Sequence, residues 1–345
     1  MKLGIAIKDT WSFFTEIYED LKQRHETSLF KPRQIKAPVI SRRVNDFLFR
    51  RDLQAFLRAN DVVFFEWGSD FLAAASQLPK TCGIITRIHR YELYTWADRI
   101  NWDVVDKVIL VSKAKQREFN ARFPAHAAKT EVIYEAVSLD QFHPGPRKFS
   151  ADIGTLCHLV PRKRVYELIL AFSELARHEP GARLHIGGGP KPRFKDYYAA
   201  LHSLVRALGI LDKVVFYGNV TDPAAWYRNI DIFVSNSYSE GLQVASIEAM
   251  ASGCMVFSHR WEGADELLPE DCLYYTDTEL VQRIRDYCAS AEPERQRRRD
   301  GLQAAARQRF SVDVTKAQIR RAIDEVGAGL GGSARPQGAL ARHAG

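Results

Sequence analysis

Ile232-Phe-Val-Ser-Asn-Ser-Tyr-Ser-Glu240-Gly-Leu-Gln-Val-Ala-Ser-Ile-Glu248-Ala-Met-Ala-Ser-Gly253-Cys-Met-Val-Phe257 is the stretch on which the fold turns. The apolar run Ile232–Val234 ends in a polar, glycine-containing loop. A helix is predicted over Val244–Ser252, and Met255–Phe257 is a second apolar run after the Gly253 breaker. Strand, loop, helix and strand in that order make a unit whose strands run parallel. The helix start, near Leu242 to Val244, offers backbone amides and the positive end of a dipole, a place for a phosphate or sugar oxygen. Glu240 precedes that start. Glu248 lies in the second turn, and helical side chains lean back toward the N-terminus, so its carboxylate faces the same way. At a rise of about 1.5 Å per residue, the two carboxylates can flank a diphosphate held there. Each can accept two hydroxyl hydrogen bonds, as the vicinal diol of a ribose or a hexose presents them. Glu248 sits among Val244, Ala245, Ile247, Ala249, Met250 and Ala251, a helix otherwise suited to burial, where a carboxylate needs a partner.

The same alternation extends in both directions. Strands are predicted at 3–7, 62–65, 83–88, 108–111 and 131–134, then at 153–156, 183–186, 214–217, 232–234, 255–257 and 272–274. Helical patterns lie between them, at 12–25, 43–58, 69–77 and 112–123, then at 165–177, 196–208, 244–252 and 279–289. This is an α/β protein of two Rossmann-like domains with parallel sheets, and ligands are expected in the cleft between loops at the carboxyl ends of the strands. Phe142-His-Pro-Gly-Pro146 is rich in chain breakers and reads as the linker. The expected division is 1–145 and 146–311, with a helix at 312–326 returning to the first domain. The glycine- and alanine-rich segment 327–345 is expected to be disordered.

The length of 345 residues suits two domains, and 46% hydrophobic with 26% charged residues suits packed cores. The apolar stretch Leu3–Ile7 is too short for a signal segment and reads as a strand. Five cysteines, odd in number and without a C-x-x-C, argue against a disulfide framework or a zinc site and for a reducing, cytoplasmic setting. The net charge of +7 is uneven: eight Lys and Arg side chains between Lys31 and Arg58 face only Asp46 and Asp52. Phe47, Leu48, Phe49, Leu53, Phe56 and Leu57 interleave with them, as in a helix resting on an anionic membrane surface. A solvated basic face is the simpler alternative. No nucleic-acid-binding motif accompanies the charge, and no nucleic acid partner is expected.

The quoted stretch resembles the E-x7-E signature of retaining glycosyltransferases of the GT-B fold, particularly their large family four. Cys254 to Leu267 resembles that family's following strand and Gly-x-x-Glu loop, through Gly263 and Glu266. Leu159-Val-Pro-Arg-Lys163-Arg-Val resembles its diphosphate-binding loop, His185-Ile-Gly-Gly-Gly-Pro190 its glycine turn, and Val215-Phe-Tyr-Gly218 its strand beside the base. The resemblance covers most of residues 80 to 275. It implies that Glu248 holds the ribose, Glu240 the transferred sugar and Lys163 the diphosphate. Gly188, Gly189, Gly218, Asn219 and Val220 would line the nucleotide, and Gly241, Leu242, Gln243 and Val244 would add backbone contacts. His89 matches the family's histidine beside the sugar, so His89, Lys163 and Glu240 are the expected catalytic group. His158 stands where the family has an arginine, with Arg162 and Arg164 as neighbouring substitutes. Thr10, Trp11, Arg90, Tyr91, Glu92 and Ser112 are expected on the acceptor side, although Lys8–Ser12 lacks the family's glycine-rich loop.

The implied activity is transfer of a hexose-type sugar from a UDP- or GDP-sugar to a glycan, lipid-linked or polysaccharide-precursor acceptor. The sequence has no D-x-D, the usual carboxylate pair for a divalent metal, so neither a metal nor another cofactor is expected. A nicotinamide-dependent dehydrogenase would need G-x-G-x-x-G after the first strand, which is missing. A catalytically impaired relative that only binds nucleotide sugars or anionic surfaces is the remaining alternative.

Overall fold

A computed structural model describes residues 1–8, 10, 11, 14–33, 41–146 and 148–332. The chain divides into two compact units. Unit 1 comprises Met1–Leu110, Phe119–Ile133 and the chain from Lys316, and unit 2 comprises Val111–Glu118 and Tyr134–Thr315.

Among the described residues, unit 1 holds one six-stranded parallel sheet in the order β2-β1-β3-β4-β5-β6. The strands are β1 (Lys2–Ala6), β2 (Glu26–Leu29), β3 (Val62–Glu66), β4 (Gly83–Ile88), β5 (Lys107–Leu110) and β6 (Thr130–Val132). Side chains alternate between the two faces of a strand, and both faces here are apolar. Val63, Phe65, Ile84, Ile88, Val108 and Leu110 pack on Leu53 and Leu57 of α2 (Ser41–Ala59) and on Phe71 and Leu72 of α3 (Asp70–Ala75). Leu3, Ile5, Val62, Phe64, Ile85 and Ile109 pack on Ile17 and Leu21 of α1 (Thr15–Lys22). The same face receives Ile319, Ala322, Ile323 and Val326 of α12 (Val312–Gly332). Lys316–Glu16 and Arg320–Asp20 ion pairs tie α12 to α1 at 3.2 and 2.6 Å. The helix therefore runs past Val326. Residues 327–332, expected without structure, are helical, and 333–345 lie outside the described residues.

Unit 2 holds the second six-stranded parallel sheet, in the order β12-β11-β10-β7-β8-β9. Its strands are β7 (Asp152–Leu156), β8 (Arg183–Gly187), β9 (Val214–Gly218), β10 (Ile232–Ser235), β11 (Met255–His259) and β12 (Leu273–Tyr274). Around it lie α6 (Val165–His178), α7 (Lys195–Ala207), α8 (Pro223–Tyr227), α9 (Val244–Ala251), α10 (Asp277–Ala289) and α11 (Glu292–Arg309). Order reverses where β10 and β7 pair, with Ile232 opposite Ile153, so the loops after these two strands open at a switch point where α/β sheets bind ligands. The breaker-rich segment 142–146 lies inside unit 2, anchored by Phe142, whose ring packs on Tyr227 with centroids 6.0 Å apart.

Among the described residues, three α-helices and one strand have no counterpart in the sequence expectation: β2, α8, α11, and α4 (Arg90–Thr95) in unit 1. Of these α11 is the longest, at 18 residues, yet only Leu302 and Ala306 are buried. It carries no apolar stripe to detect. Its sequence is laced instead with ion pairs three residues apart, such as Arg295–Glu292 at 2.8 Å and Arg297–Glu294, the spacing that supports a polar helix.

Candidate donor site

The loops after β7 and β10 are stitched together. Pro161–Lys163 forms one tight 3-10 turn, and Arg164 closes it in the left-handed region (φ 50°) before α6 begins. The Arg164 carbonyl accepts from Asn236 Nδ2 at 3.0 Å, and Arg162 donates to the Ser239 carbonyl. These bonds bring two cations onto one acid. Glu240 is buried, with Oε1 2.5 Å from Lys163 Nζ and Oε2 2.9 Å from Arg162 Nη1. Burial alone pushes its carboxyl upward; the charges of Lys163 and then Arg162 outweigh that and hold it below its usual range. The result is an ionised, paired carboxylate at the switch point.

Glu248 is handled differently. It is half-buried in the second turn of α9, with Oε2 3.0 Å from the Tyr227 hydroxyl. Burial pushes it up to about 7, against a small lowering by the Tyr227 bond. Gln243 caps α9 in an extended conformation, its own side chain making no cap bond and instead accepting from Ser246 Oγ at 2.9 Å. The amide end of the helix carries no acidic side chain in its first turn.

Nearby, Gly188 N–H donates to the Gly218 carbonyl at 2.7 Å. Gly188 has φ 138°, and a Cβ there would meet the Cys157 carbonyl oxygen at 2.0 Å. Gly188→Ala is therefore expected to destabilise unit 2 by at least about 1–3 kcal/mol from backbone strain. An unchanged denaturant midpoint would show that the turn relaxes freely. A Cβ on Gly189 would meet Asn219 Oδ1 at 2.4 Å, so Asn219 and Gly189 share one turn. His158 is only partly covered, and that partial desolvation of its ring, then Lys191, Lys163 and Arg162, lowers its basicity. It is a neutral group at pH 7, and Arg162 is the arginine beside Lys163. Arg164 turns toward Glu167 and Asp277, at 3.8 and 3.6 Å.

His89 belongs to unit 1. Its Nε2 lies 3.3 Å from Glu66 Oε1, and its ring stacks on Trp67 at 3.9 Å. Glu66 is fully buried and paired with the equally buried Arg87, Nη2 to Oε1 2.6 Å. Burial pushes the Glu66 carboxyl up, and Arg87 more than offsets it, so the net direction is down. An ionised carboxylate only accepts, so Nε2 carries the proton. Two expected acceptor-side residues are engaged as helix caps. Glu92 Oε2 accepts from His89 N–H at 3.1 Å, and Ser112 Oγ accepts from Lys115 N–H at 3.2 Å. Arg90 stacks on Tyr94 at 4.8 Å, and Tyr91 is exposed. Thr10 is exposed in a left-handed conformation, and Trp11 packs edge-on against Tyr18 at 5.3 Å. Asp9 and Ser12 of that loop lie outside the described residues.

Sequence reasoning did not find Tyr227, Glu66 or Arg87. For the last two a signal existed, a charge inside each of the apolar runs Val-Val-Phe-Phe-Glu66 and Gly-Ile-Ile-Thr-Arg87-Ile. Glu266 has a distinct place in unit 2: it accepts from the Lys113 and Ala114 amides, both at 2.7 Å, at the start of α5 (Lys113–Arg122). Among the described residues, no three His, Cys, Asp or Glu side chains group as metal ligands.

Two helix-wrapped, six-stranded parallel sheets in series are the GT-B arrangement, and solved glycosyltransferase structures share it. Anabaena Alr3699/HepE in complex with UDP and glucose superposes with a TM-score of 0.76 at 19% identity, covering 94% of this chain and 99% of that one. Sucrose-phosphate synthase of Thermosynechococcus elongatus gives 0.74 at 15% identity, over 95% and 100%. Residues 150–289, essentially unit 2 from β7 to α10, match the family model Glycosyl transferases group 1. D-inositol 3-phosphate glycosyltransferase 2 of Catenulispora acidiphila is 32% identical over 177 residues, 47% of this chain and 42% of that protein. D-inositol 3-phosphate glycosyltransferase of Mycobacteroides abscessus is 31% identical over 166 residues, 45% and 37%. The chain thus matches about two fifths of the length of these curated relatives.

Proposed function

We propose that this chain is a retaining glycosyltransferase that moves a hexose-type sugar from a UDP- or GDP-sugar to a hydroxyl of a glycan, lipid-linked or polysaccharide-precursor acceptor, without a metal. The observation that carries it is Glu240, buried and ionised between Lys163 and Arg162 at the switch point, eight residues before Glu248. Breaking an anomeric C–O bond leaves a diphosphate, and catalysis consists of stabilising its charge as it develops. Lys163 and Arg162 supply cations for that charge, and the α9 amide end adds hydrogen bonds. Glu240 then turns to the hydroxyls of the transferred sugar, and Glu248 takes the ribose diol. His89, with its proton fixed on Nε2, shapes the sugar side, and the departing phosphate serves as base for the acceptor hydroxyl. UDP is the favoured base-bearing group because a GT-B neighbour of this fold is known in complex with UDP and glucose.

Thermal unfolding with UDP, GDP, ADP and their glucose or mannose conjugates tests the reading, since a ligand bound to the native state raises the midpoint by mass action. One nucleoside diphosphate and its sugar are expected to raise the midpoint selectively. No shift with any of them would overturn the proposal, and a shift without sugar transfer or hydrolysis would favour the catalytically impaired alternative.

The basic α2 is proposed to rest on an anionic membrane. Arg43, Arg50, Arg51 and Arg58 are exposed, together with Phe47 at 64%. Leu53 and Leu57, read from sequence as part of the membrane-facing stripe, are instead in the core of unit 1. Contact is therefore electrostatic, with Phe47 as the apolar addition; Lys36 and the Arg42 side chain lie outside the described residues. Among the described residues no helix is long and apolar enough to cross a membrane.

A further inference from the structure

Tyr227 ends α8 and is fully buried, packed edge-on against Trp226, Phe233 and Phe142. Its hydroxyl is the one polar atom of the ring, and it faces two acceptors: Glu248 Oε2 and the Ala245 carbonyl, each at 3.0 Å. A phenol has one proton to give. With Glu248 ionised, that proton goes to Oε2. With Glu248 protonated, the carboxyl donates to the phenol oxygen and the phenol proton goes to Ala245. The ring stays in place in both states, because its packing fixes it and only the O–H rotates. Oε2 is thereby held on Tyr227, and Oε1 is the oxygen left for another partner.

Granted the nucleoside-diphosphate reading of unit 2, we propose that Tyr227 is a positioning residue for ribose recognition, holding Glu248 in one orientation whether or not it carries a proton, so that binding of the ribose diol is coupled to loss of that proton. Among the described residues Glu248 has no ion-pair partner; burial raises it and the Tyr227 phenol opposes that. The helices and strands packed on α9 therefore leave its titration to these two, and its value of about 7 places the coupling near neutrality. The sign follows. An ionised Glu248 offers the ribose hydroxyls a charged acceptor, whereas a protonated one, its proton spent on Tyr227, leaves Oε1 a neutral and weaker acceptor. Affinity for a nucleoside diphosphate should then be level above pH 7 and fall by up to tenfold per pH unit below it. Removing the phenol deletes a bond that favours the ionised form, so the midpoint should move to higher pH.

The experiment is calorimetric titration with UDP and with its 2′,3′-dideoxy analogue from pH 5.5 to 8.5, on wild type, Tyr227→Phe and Glu248→Gln. Wild type is expected to prefer UDP over the analogue about tenfold or more at pH 8 and to lose that preference toward pH 5.5. Tyr227→Phe should shrink the preference at pH 7 and shift its midpoint upward. Glu248→Gln should bind UDP with neither strong preference nor pH dependence. Tyr227→Phe keeps the ring and its packing, and where it nevertheless unfolds, Glu248→Gln together with wild-type proton release in buffers of different ionisation enthalpy decides the matter. A preference and midpoint unchanged in Tyr227→Phe, or a wild-type preference independent of pH, would overturn the proposal. Absence of any nucleoside-diphosphate binding by wild type would overturn the functional reading itself.

Discussion

Lys163→Ala should lower sugar transfer, or donor hydrolysis in the absence of acceptor, about 100- to 1,000-fold, the range seen when a single transition-state charge stabiliser is removed. The fold should survive. Glu240 loses the Nζ partner at 2.5 Å but keeps Arg162 at 2.9 Å, so no buried carboxylate is stranded. The loss should fall on kcat more than on donor KM, since the charge being neutralised grows as the C–O bond breaks. Lys163→Arg should recover part of the rate. Near-normal turnover in a folded Lys163→Ala protein would remove this residue from the chemistry. The pairing gives Lys163 a second task that needs no ligand: with Arg162 it compensates the buried charge of Glu240.

The largest stability effect is expected at the other end of the chain. Arg87→Met leaves Glu66, which is 1% exposed, without its cation, and breaking a buried pair by removing one partner costs about 3–5 kcal/mol. Removing both charges, as in Glu66→Met with Arg87→Met, should cost much less, because two apolar side chains need no compensation. The pH dependence separates this from a packing loss. In wild type the folded-state value of Glu66 is lowered. Its contribution is therefore complete above the unfolded carboxylate range, about 4.3, and disappears as the pH falls through the lower folded value. In Arg87→Met burial, the largest influence on Glu66, is opposed only by the neighbouring His89 and should raise the carboxyl, so acidifying from pH 7 to 5 should recover part of the deficit. A deficit constant over that range would mean that the guanidinium matters for its shape alone. His89 should report the same loss through its rate effect, because Glu66 holds its Nε2 proton in place.

Much of unit 2 was legible because its strands are short apolar runs bounded by glycine and polar loops, and each run appears as a strand within one or two residues. In the Glu240–Glu248 segment the strand, the polar loop and the helix start were legible for the same reason, and each forms within a residue or two of where the pattern places it. What could not be read was pairing across distance. Lys163 and Glu240 are separated by 77 positions, and their contact depends on Arg164 adopting a left-handed turn. Tyr227 was invisible for a different reason: as one aromatic among several in Ala-Trp-Tyr-Arg, it reads as core, and it is core, with one polar atom put to use. Serine and glutamate near a strand end also read the same whether they meet a ligand or close a helix; Ser112 and Glu92, expected on the acceptor side through the family resemblance, are both helix caps in the structure.

The helix α12 has a consequence for how the protein is made. Its Ile319 and Ile323 cover the same sheet face as Leu3, Ile5 and Phe64, and its Lys316 reaches a partner 300 positions earlier in the chain. A ribosome adding about 5–20 residues per second needs about 15–60 s to supply those residues after Glu16 has emerged. Once β6 at Thr130–Val132 has been made, that face carries α1 but still lacks α12 while unit 2 is synthesised and can fold. The unit that begins first therefore finishes last, and its exposed apolar face is the part of the nascent chain that chaperones would have to guard.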